Sequence, residues 1–241
     1  MGTAFITGAG VRIGGAVARA LGHAGYDLAL HANRSVGPLE ALADELRALG
    51  RDVTLYSADL SDPDAVDALG AKVRQAHPAL DVVVHNAGLY ERTDFAAVTR
   101  AAYRRMQAVN LDAPFFLTQA LLPSLRAGKD PVVVHITDIG GERAVSHYAH
   151  YSVSKAGLVM LTRALAVELA PHVRVNAVSP GVAAFPDDFD EATREAQRQQ
   201  IPMRREGSVE DIARTVVFLA REAPYVTGQV IAVDGGRSAQ L

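Results

Sequence analysis

The sequence TAFITGAGVRIGG, residues 3–15, joins a short apolar run to a glycine-rich turn, and this pairing fixes the class of fold that we expect. A turn of this kind between a first strand and a first helix lets the backbone approach a pyrophosphate at the helix N-terminus. The spacing departs from GxGxxG, because Ile13 stands where the third glycine belongs and Gly14 comes one residue later. The segment therefore predicts a dinucleotide loop, and a simple tight turn is the alternative.

Short apolar runs alternate with helical patterns along the rest of the chain, which is typical of a parallel sheet covered on both faces. Runs such as Asp81-Val82-Val83-Val84-His85 are almost wholly apolar, as strands buried on both faces are. We predict strands near 3–7, 27–31, 52–57, 81–85, 131–136, 173–178 and 229–233. We predict helices at 13–24, 38–49, 63–76, 99–109, 112–126, 151–169 and 208–221. The fold class is α/β: a single-domain Rossmann fold over residues 1–241, with a doubly wound seven-stranded parallel sheet.

The composition suits a globular protein and excludes several functions. Hydrophobic residues make up 49% of the 241 residues and charged residues 21%. A net charge of -3 argues against nucleic-acid binding, and no apolar stretch reaches the roughly 18 residues of a membrane span. The absence of cysteine excludes thiolate catalysis, and His147 with His150 lacks a clear carboxylate partner, so we expect no metal site. We expect a cytoplasmic protein with a small-molecule substrate.

The end of the second strand indicates which nicotinamide cofactor would bind. A site for NAD would place an acidic residue near here to hold the ribose 2′-hydroxyl, and none is present. Asn33, Arg34 and Ser35 stand there instead, and a guanidinium with a hydroxyl suits a 2′-phosphate. The segment predicts NADPH, although Arg34 as a solvated loop residue is the alternative.

Polar or small residues follow two further strands, where open α/β sheets bind ligands. Asp59-Leu60 follows the third strand and Asn86-Ala87-Gly88 follows the fourth, although turn chemistry explains both equally well. Asn110 interrupts an apolar helical stretch, which indicates a helix kink or a buried hydrogen bond.

A tyrosine and a lysine at helical spacing provide the candidate chemistry. Tyr151 and Lys155 are an i,i+4 pair, so they lie on one helix face. A free phenol titrates near ~10, and an ammonium group nearby would lower that pKa towards working pH. Asp138, thirteen residues earlier, follows the fifth strand. An ordinary helix face is the alternative for the pair, and a capping residue is the alternative for Asp138.

The ordered motifs resemble those of the short-chain dehydrogenase/reductases over nearly the whole chain. They are Thr7-Gly8 to Gly14, Asp59, Asn86-Ala87-Gly88, Asn110, Tyr151-x-x-x-Lys155, Arg174-Val175-Asn176, Pro180-Gly181 and Val233-Asp234-Gly235-Gly236. Two departures narrow the match, because Arg12 replaces a glycine and Asp138 replaces the serine of most members. Both departures resemble the pteridine reductase branch, as do the segment His31 to Ser35, Tyr90, and Phe185-Pro186 in the expected substrate loop at 183–203.

This resemblance implies a set of roles. The catalytic residues would be Asp138, Tyr151, Lys155 and Asn110. The cofactor would contact Gly8, Arg12, Ile13, Gly14, Asn33, Arg34, Ser35, Asp59, Leu60, Asn86, Ala87, Gly88, Tyr151, Lys155, Pro180, Gly181 and Val182. A pterin or folate would contact Arg12, Tyr90, Asp138, Tyr151 and Phe185, and the assembly would be a homotetramer.

The function implied is hydride transfer from NADPH to a C=N bond of a dihydropterin or dihydrofolate, with Lys155 lowering the pKa of Tyr151. Three alternatives remain: a ketone reductase of the same family, a catalytically silent sensor of NADPH, and a structural subunit of a hetero-oligomer.

Overall fold

The computed structural model describes residues 2–183, 185 and 190–240, and they form a seven-stranded sheet in which every pair is parallel. The strands are β1 (Thr3–Ile6), β2 (Asp27–Ala32), β3 (Val53–Ser57), β4 (Val82–His85), β5 (Val132–Ile136), β6 (Arg174–Pro180) and β7 (Val230–Val233). Their order across the sheet is β3-β2-β1-β4-β5-β6-β7. The chain therefore reverses its direction of travel across the sheet between β1 and β4, and such a switch point leaves a crevice at the carboxyl ends of the strands.

Eight α-helices occur among these described residues and connect the strands. They are α1 (Arg12–His23), α2 (Val36–Ala48), α3 (Pro63–Ala76), α4 (Arg100–Gln107), α5 (Ala113–Arg126), α6 (Ala149–Glu168), α7 (Glu191–Gln199) and α8 (Val209–Arg221). A π-helical turn at Ala108–Asp112 joins α4 to α5, and two 3₁₀ turns lie at Phe95–Ala97 and Ile139–Gly141. Among helices of the described residues, none is both long and apolar enough to cross a membrane.

Two separate cores cover the faces of the sheet, because alternate strand residues point in opposite directions. In β4, Val82 and Val84 enter the core beneath α1, α2 and α8, while Val83 enters the core beneath α3 and α5. All three valines are at most 1% exposed, so β4 is buried on both faces. This double burial explains why the strand sequences are apolar runs instead of alternating ones.

The predicted fold class and all seven predicted strands are confirmed, and the helices differ in three places. The second helix begins at Val36, so Pro38 lies inside its first turn and not at its start. The predicted helices at 99–109 and 112–126 are joined through the π turn. The helix α7 was absent from the prediction because its residues are almost all polar and none of them is buried.

Candidate active site

The turn after β1 brings two backbone segments too close together for side chains. Gly8 has φ +66°, and a Cβ there would lie 2.9 Å from the Cα of Ala87. A Cβ on Gly14 would lie 2.1 Å from the carbonyl oxygen of Gly8, so only glycine fits. Arg12 adopts φ 52°, a left-handed conformation that glycine takes without strain, and its side chain is exposed.

The N-terminus of α1 is open to an anion. Val11 provides no side-chain cap, and the first turn has no acidic residue. Free backbone N–H groups and the helix dipole favour negative charge at such a position. Together with the glycine turn, this helix end fits the pyrophosphate of a dinucleotide cofactor.

The side chain of Asn86 holds the β1 and β4 loops together. Its Nδ2 donates to the carbonyl oxygens of Thr7 and Gly8, both at 3.0 Å. The hydroxyl of Thr7 accepts from the backbone N–H groups of Asn86 at 3.0 Å and of Ala87 at 3.1 Å. Asn86 therefore holds together the two loops that border the crevice. Gly88, two residues later, lies close to Lys155, since a Cβ on Gly88 would lie 3.6 Å from Lys155 Nζ.

Asn33, Arg34 and Asp59 lie together at the carboxyl ends of β2 and β3. Hydrogen bonds from the backbone N–H and the hydroxyl of Ser61 lower the pKa of Asp59, and Asn33 and Arg34 lower it further. Asn33 and Arg34 are exposed, while Leu60 is buried. Ser35 precedes α2 without capping it through its side chain. No acidic residue occurs between β2 and α2.

Asn110 lies in the π turn and binds the chain next to the crevice. Its Oδ1 accepts from Leu89 N at 2.8 Å, and its Nδ2 donates to Leu89 O at 3.0 Å. The same Nδ2 donates to Ser154 Oγ at 3.0 Å, and the residue is only 1% exposed. Of the two interpretations of Asn110, the buried hydrogen bond is therefore confirmed, and the residue lies in a π-helical turn between α4 and α5.

Tyr151, Lys155 and Asp138 meet above the carboxyl end of β5. Tyr151 and Lys155 occupy one face of α6 and are both 5% exposed. Lys155 Nζ donates to the carbonyl oxygen of Ile136 at 2.8 Å and lies 5.8 Å from the centre of the Tyr151 ring. Asp138 Oδ1 accepts from Gly140 N at 2.6 Å, and the Asp138 carboxyl group lies near enough to Tyr151 to raise the pKa of its phenol. The capping role of Asp138 is therefore confirmed, and its catalytic role stays a prediction.

The electrostatics of this group correct one expectation. Burial, followed by Asp138, raises the pKa of Tyr151 well above its usual value. Burial lowers the pKa of Lys155 to about 8, although Asp138 opposes that change. Burial also raises the pKa of Asp138, against the Gly140 hydrogen bond and the charge of Lys155. Desolvation and the Asp138 carboxylate therefore leave the pKa of Tyr151 raised overall, whereas the sequence predicted a lowered one; the contribution of Lys155 stays a prediction.

An aromatic wall borders the group. Tyr90 stacks on Tyr148 with ring centres 4.6 Å apart, and its edge meets the Tyr151 ring at 4.9 Å. Tyr90 is 59% exposed, so one side of this wall is open to solvent. Tyr148 was missed from the sequence, although its position three residues before Tyr151 in a helical segment is a usable signal.

The remaining predicted residues lie at the carboxyl end of β6 and beyond it. Gly181 N donates to Val233 O at 3.0 Å, and Gly207 N donates to Val182 O at 2.9 Å, so Pro180 to Val182 is tied to β7 and to the chain before α8. The ring of Phe185 lies 5.5 Å from the guanidinium carbon of Arg198 on α7. Pro186 falls outside the described residues.

His147 and His150 do not form a metal site with other residues of the described chain, where no group of three suitable ligands occurs. His147 does have a carboxylate partner, contrary to expectation, since its Nδ1 lies 2.5 Å from Asp94 Oδ1. This contact ties the loop after Tyr90 to the loop before Tyr151. Three further residues at the site were not anticipated: Ser154, Gly140 and Arg237, which acts electrostatically on Asp138.

Comparisons with known proteins agree with this architecture. A family model described as "Enoyl-(Acyl carrier protein) reductase" matches residues 8–238. The chain is 38% identical over 237 residues to nodulation protein G of Rhizobium sp. (strain N33), covering 97% of this chain and 95% of that protein. It is also 38% identical over 239 residues to a 3-oxoacyl-(acyl-carrier-protein) reductase of Aggregatibacter actinomycetemcomitans, covering 97% and 98% of the two chains.

Two solved structures are similarly close. A short-chain dehydrogenase/reductase from Brucella melitensis has a TM-score of 0.90 at 33% identity, covering 98% of this chain and 96% of that one. A blue fluorescent protein from a metagenomic library, solved in complex with NADPH, has a TM-score of 0.90 at 32% identity, covering 98% and 97%. The chain belongs to the short-chain dehydrogenase/reductase family and is an oxidoreductase of the kind that binds a nicotinamide cofactor.

Proposed function

We propose that the protein is an NADPH-dependent reductase of carbonyl compounds. The observation that carries this proposal is the buried Tyr151 phenol, which lies beside Asp138 and one helical turn from Lys155. A phenol held in this way can deliver a proton to one oxygen atom at the mouth of a cofactor crevice. The similarity to 3-oxoacyl reductases supports a C=O bond as the reducible group.

NADPH is the proposed cofactor. The support is the pairing of an exposed Arg34 with a β2 end that lacks an acidic residue. The glycine turn, the uncapped start of α1 and the buried amine of Lys155 fit its pyrophosphate and ribose hydroxyl groups. When bound, NADPH would supply a hydride to the carbonyl carbon.

The residues of the chain would then handle the proton. Tyr151 would donate its hydroxyl proton to the carbonyl oxygen as negative charge develops there. Lys155 is anchored on the Ile136 carbonyl and would stabilise the phenolate that remains. Asp138, whose pKa is raised by burial, would in its neutral form donate a second hydrogen bond to the substrate.

A second candidate is the reduction of a C=N bond in a dihydropterin or dihydrofolate. The observation that favours it is a carboxyl group beside an aromatic wall, formed by Asp138 with Tyr90 and Tyr148. A carboxylate suits the amino and ring N–H groups of a pterin, and an exposed Tyr90 ring suits a flat heterocycle. Arg12 at the glycine turn would contact the same ligand.

One steady-state activity assay distinguishes the two candidate reactions. The purified protein is mixed with NADPH and either a 3-oxo ester, dihydrobiopterin or dihydrofolate, and absorbance is followed at the nicotinamide band. We expect turnover of the 3-oxo ester, and its loss in Tyr151→Phe. Turnover of the pterins alone would replace the first candidate with the second. Tight NADPH binding without any turnover would contradict both and indicate a sensor or a structural subunit.

We also propose a homotetramer, and the surface that supports it lies between α5 and α6. Phe115, Phe116 and Met160 are exposed there, and Met160 is 61% exposed. These side chains border a cavity of about 400 Å³ with Leu161 in its wall. An apolar cluster of this kind marks a protein contact, and a second copy of the chain is the proposed partner.

A further inference from the structure

After β7, residues 234–240 form a hydrogen-bonded segment that contacts the chain near the Asp138 turn. This C-terminal tail comprises residues 234–240, and its bend is stabilised by Asp234, which accepts from Gly236 N at 2.9 Å and from Ser238 N at 2.6 Å. Gly235 and Gly236 have φ values of +64° and +86°, which other residues rarely adopt. The bend is therefore specified by sequence and directs Arg237 away from the sheet edge.

The C-terminal tail bridges two elements that border the site. Arg143, which follows Asp138 and its 3₁₀ turn, donates to the carbonyl oxygen of Gln240. The side chain of Gln240 donates in turn to the carbonyl oxygen of Gln200 at the end of α7. Arg237 is thus carried into the space between the Asp138 turn and α7.

Neutral groups hold the guanidinium of Arg237 in place. Its Nη2 donates to Gln197 Oε1 at 2.8 Å and to Gln200 Oε1 at 2.9 Å. Within the described part of the chain, no carboxylate lies within ion-pair distance of it, and its Nε and Nη1 make no hydrogen bond. Among the described residues, the half-buried charge is therefore oriented by neutral groups and has no carboxylate partner.

The field of this charge reaches the reacting groups. Arg237 is among the groups that lower the pKa of Asp138, although burial raises that pKa overall. It also opposes the rise in the pKa of Tyr90, which is caused first by burial. Arg237 is therefore near enough to Asp138 and to the Tyr90 ring for its charge to affect both.

We propose that Arg237 is a specificity-determining residue that binds an anionic oxygen group of the substrate, such as a carboxylate. The N–H groups of Nε and Nη1 are free to donate to an anionic oxygen, and the amides of Gln197 and Gln200 orient the guanidinium beforehand. This inference rests on the proposed function and narrows its substrates to carbonyl compounds that carry a negative charge near the reducible bond. The neutral partners matter, because a carboxylate in place of either glutamine would occupy the guanidinium.

The test compares matched substrates in which only the charge differs. Acetoacetate and methyl acetoacetate are assayed with NADPH on the parent protein, Arg237→Gln and Arg237→Lys. We expect Arg237→Gln to raise KM for acetoacetate by about ten- to a hundredfold with kcat nearly unchanged, and to leave the ester within about twofold. Arg237→Lys should recover part of the loss. Arg205→Gln removes an equal charge from an exposed position and should change neither substrate.

A different result would overturn the proposal. If Arg237→Gln impairs acid and ester equally, or shifts the pH profile equally for both, Arg237 acts through Asp138 and not on the substrate. The same pairing works for the second candidate, with dihydrofolate as the charged substrate and dihydrobiopterin as the neutral one.

A binding measurement keeps this test separate from the proposed reaction. Calorimetric titration with 3-hydroxybutyrate or its methyl ester, in the presence of NADP⁺, needs no turnover. Preference for the acid that disappears in Arg237→Gln supports the proposal even if neither ketone is reduced. Equal binding of both ligands to the parent protein contradicts it, whether or not reduction occurs.

Discussion

Two opposing influences act on the pKa of Asp138, namely burial and a hydrogen bond from the backbone. The N–H of Gly140 stabilises its carboxylate, whereas burial favours the neutral acid and leaves its pKa raised. When ionised, the carboxylate holds the Tyr151 proton and raises the pKa of that phenol. The protonation state of Asp138 therefore determines how readily Tyr151 gives up its proton.

Replacing Asp138 should separate the two candidate reactions. In Asp138→Ser the carboxylate no longer raises the pKa of Tyr151, so we expect ketone reduction at neutral pH to be retained or to rise by up to about tenfold. Pterin reduction should be lost, because the ligand for the ring N–H groups is gone. The measurement is kcat/KM for both substrates, and Asp67→Ser is the control for removing an exposed carboxylate. Loss of ketone turnover in Asp138→Ser would contradict the proposed role of Tyr151 as the direct donor.

The pH dependence follows from the same pair. Protonation of Asp138 frees the phenol, so kcat/KM for the ketone should rise as pH falls through the raised pKa of Asp138. The Asp138→Ser variant should be flat over that interval. A parent profile that falls with decreasing pH while the variant stays flat would show that the ionised carboxylate is the active form.

Lys155 should reduce the stability of the protein without cofactor. Its pKa is about 8 in the folded state because of burial, against a usual value of 10.5, so the folded state binds fewer protons between these values. The free energy of unfolding should therefore rise as pH increases through this interval, and the charged amine costs on the order of 3 kcal/mol below it. We expect Lys155→Met to be more stable than the parent at pH 7. The gain should equal the cost of the buried charge minus the contribution of the lost hydrogen bond to the Ile136 carbonyl. The variant should also be inactive.

Urea unfolding at about pH 7 and about pH 10 checks this sign. The advantage of Lys155→Met should shrink at the higher pH, where the parent amine is neutral when folded. An advantage that does not change with pH would mean that packing, and not the buried charge, causes the difference. Lys72→Met, at an exposed position of α3, is the control.

At the scale of elements, the connection from β2 to α2 should set cofactor preference. Arg34→Asp places a carboxylate where the 2′ group of the cofactor ribose would lie. A carboxylate would repel the 2′-phosphate of NADPH, whereas it would accept a hydrogen bond from the 2′-hydroxyl of NADH. We expect the ratio of kcat/KM for NADPH to that for NADH to fall by about a hundredfold or more, mainly through KM. Arg47→Asp, at the far end of α2, is the matched control. An unchanged ratio would show that Arg34 is only a solvated loop residue.

The π turn between α4 and α5 should be sensitive to a single amide. Asn110→Ala removes bonds to both backbone groups of Leu89 and leaves them without a partner inside the protein. We expect a loss of about 2 to 4 kcal/mol in the free energy of unfolding, together with weaker cofactor binding. Chemical denaturation measures the first and fluorescence titration with NADPH the second. Normal stability in Asn110→Ala would mean that the turn is held by helix packing alone.

At the scale of the whole molecule, the surface between α5 and α6 should hold subunits together. Met160→Glu introduces a charge at an exposed position of the apolar cluster, so it should disturb the assembly and not the fold. We expect sedimentation to show smaller species at the same unfolding temperature. Leu49→Glu changes an exposed apolar residue on the opposite face of the sheet and should have no effect. If the parent protein sediments as a monomer, the tetramer proposal is wrong.

The sequence by itself determined the elements and their order, since strands and helices follow local periodicity and the glycine turn follows local backbone geometry. It also placed Tyr151 and Lys155 on one face, because i,i+4 spacing is a property of any helix. The polar helix α7 was not predicted, because none of its residues is buried and its sequence therefore lacks the apolar pattern of a core helix.

Only the tertiary structure decided the charges and partners in the site. The bond from Lys155 to Ile136, the raised pKa of Tyr151 and the approach of Arg237 to Asp138 depend on segments far apart in the chain. Sequence reasoning gave Tyr151 a lowered pKa because it considered one neighbour and no burial. Desolvation depends on everything packed around a group, and therefore appears only when the strands and helices are assembled.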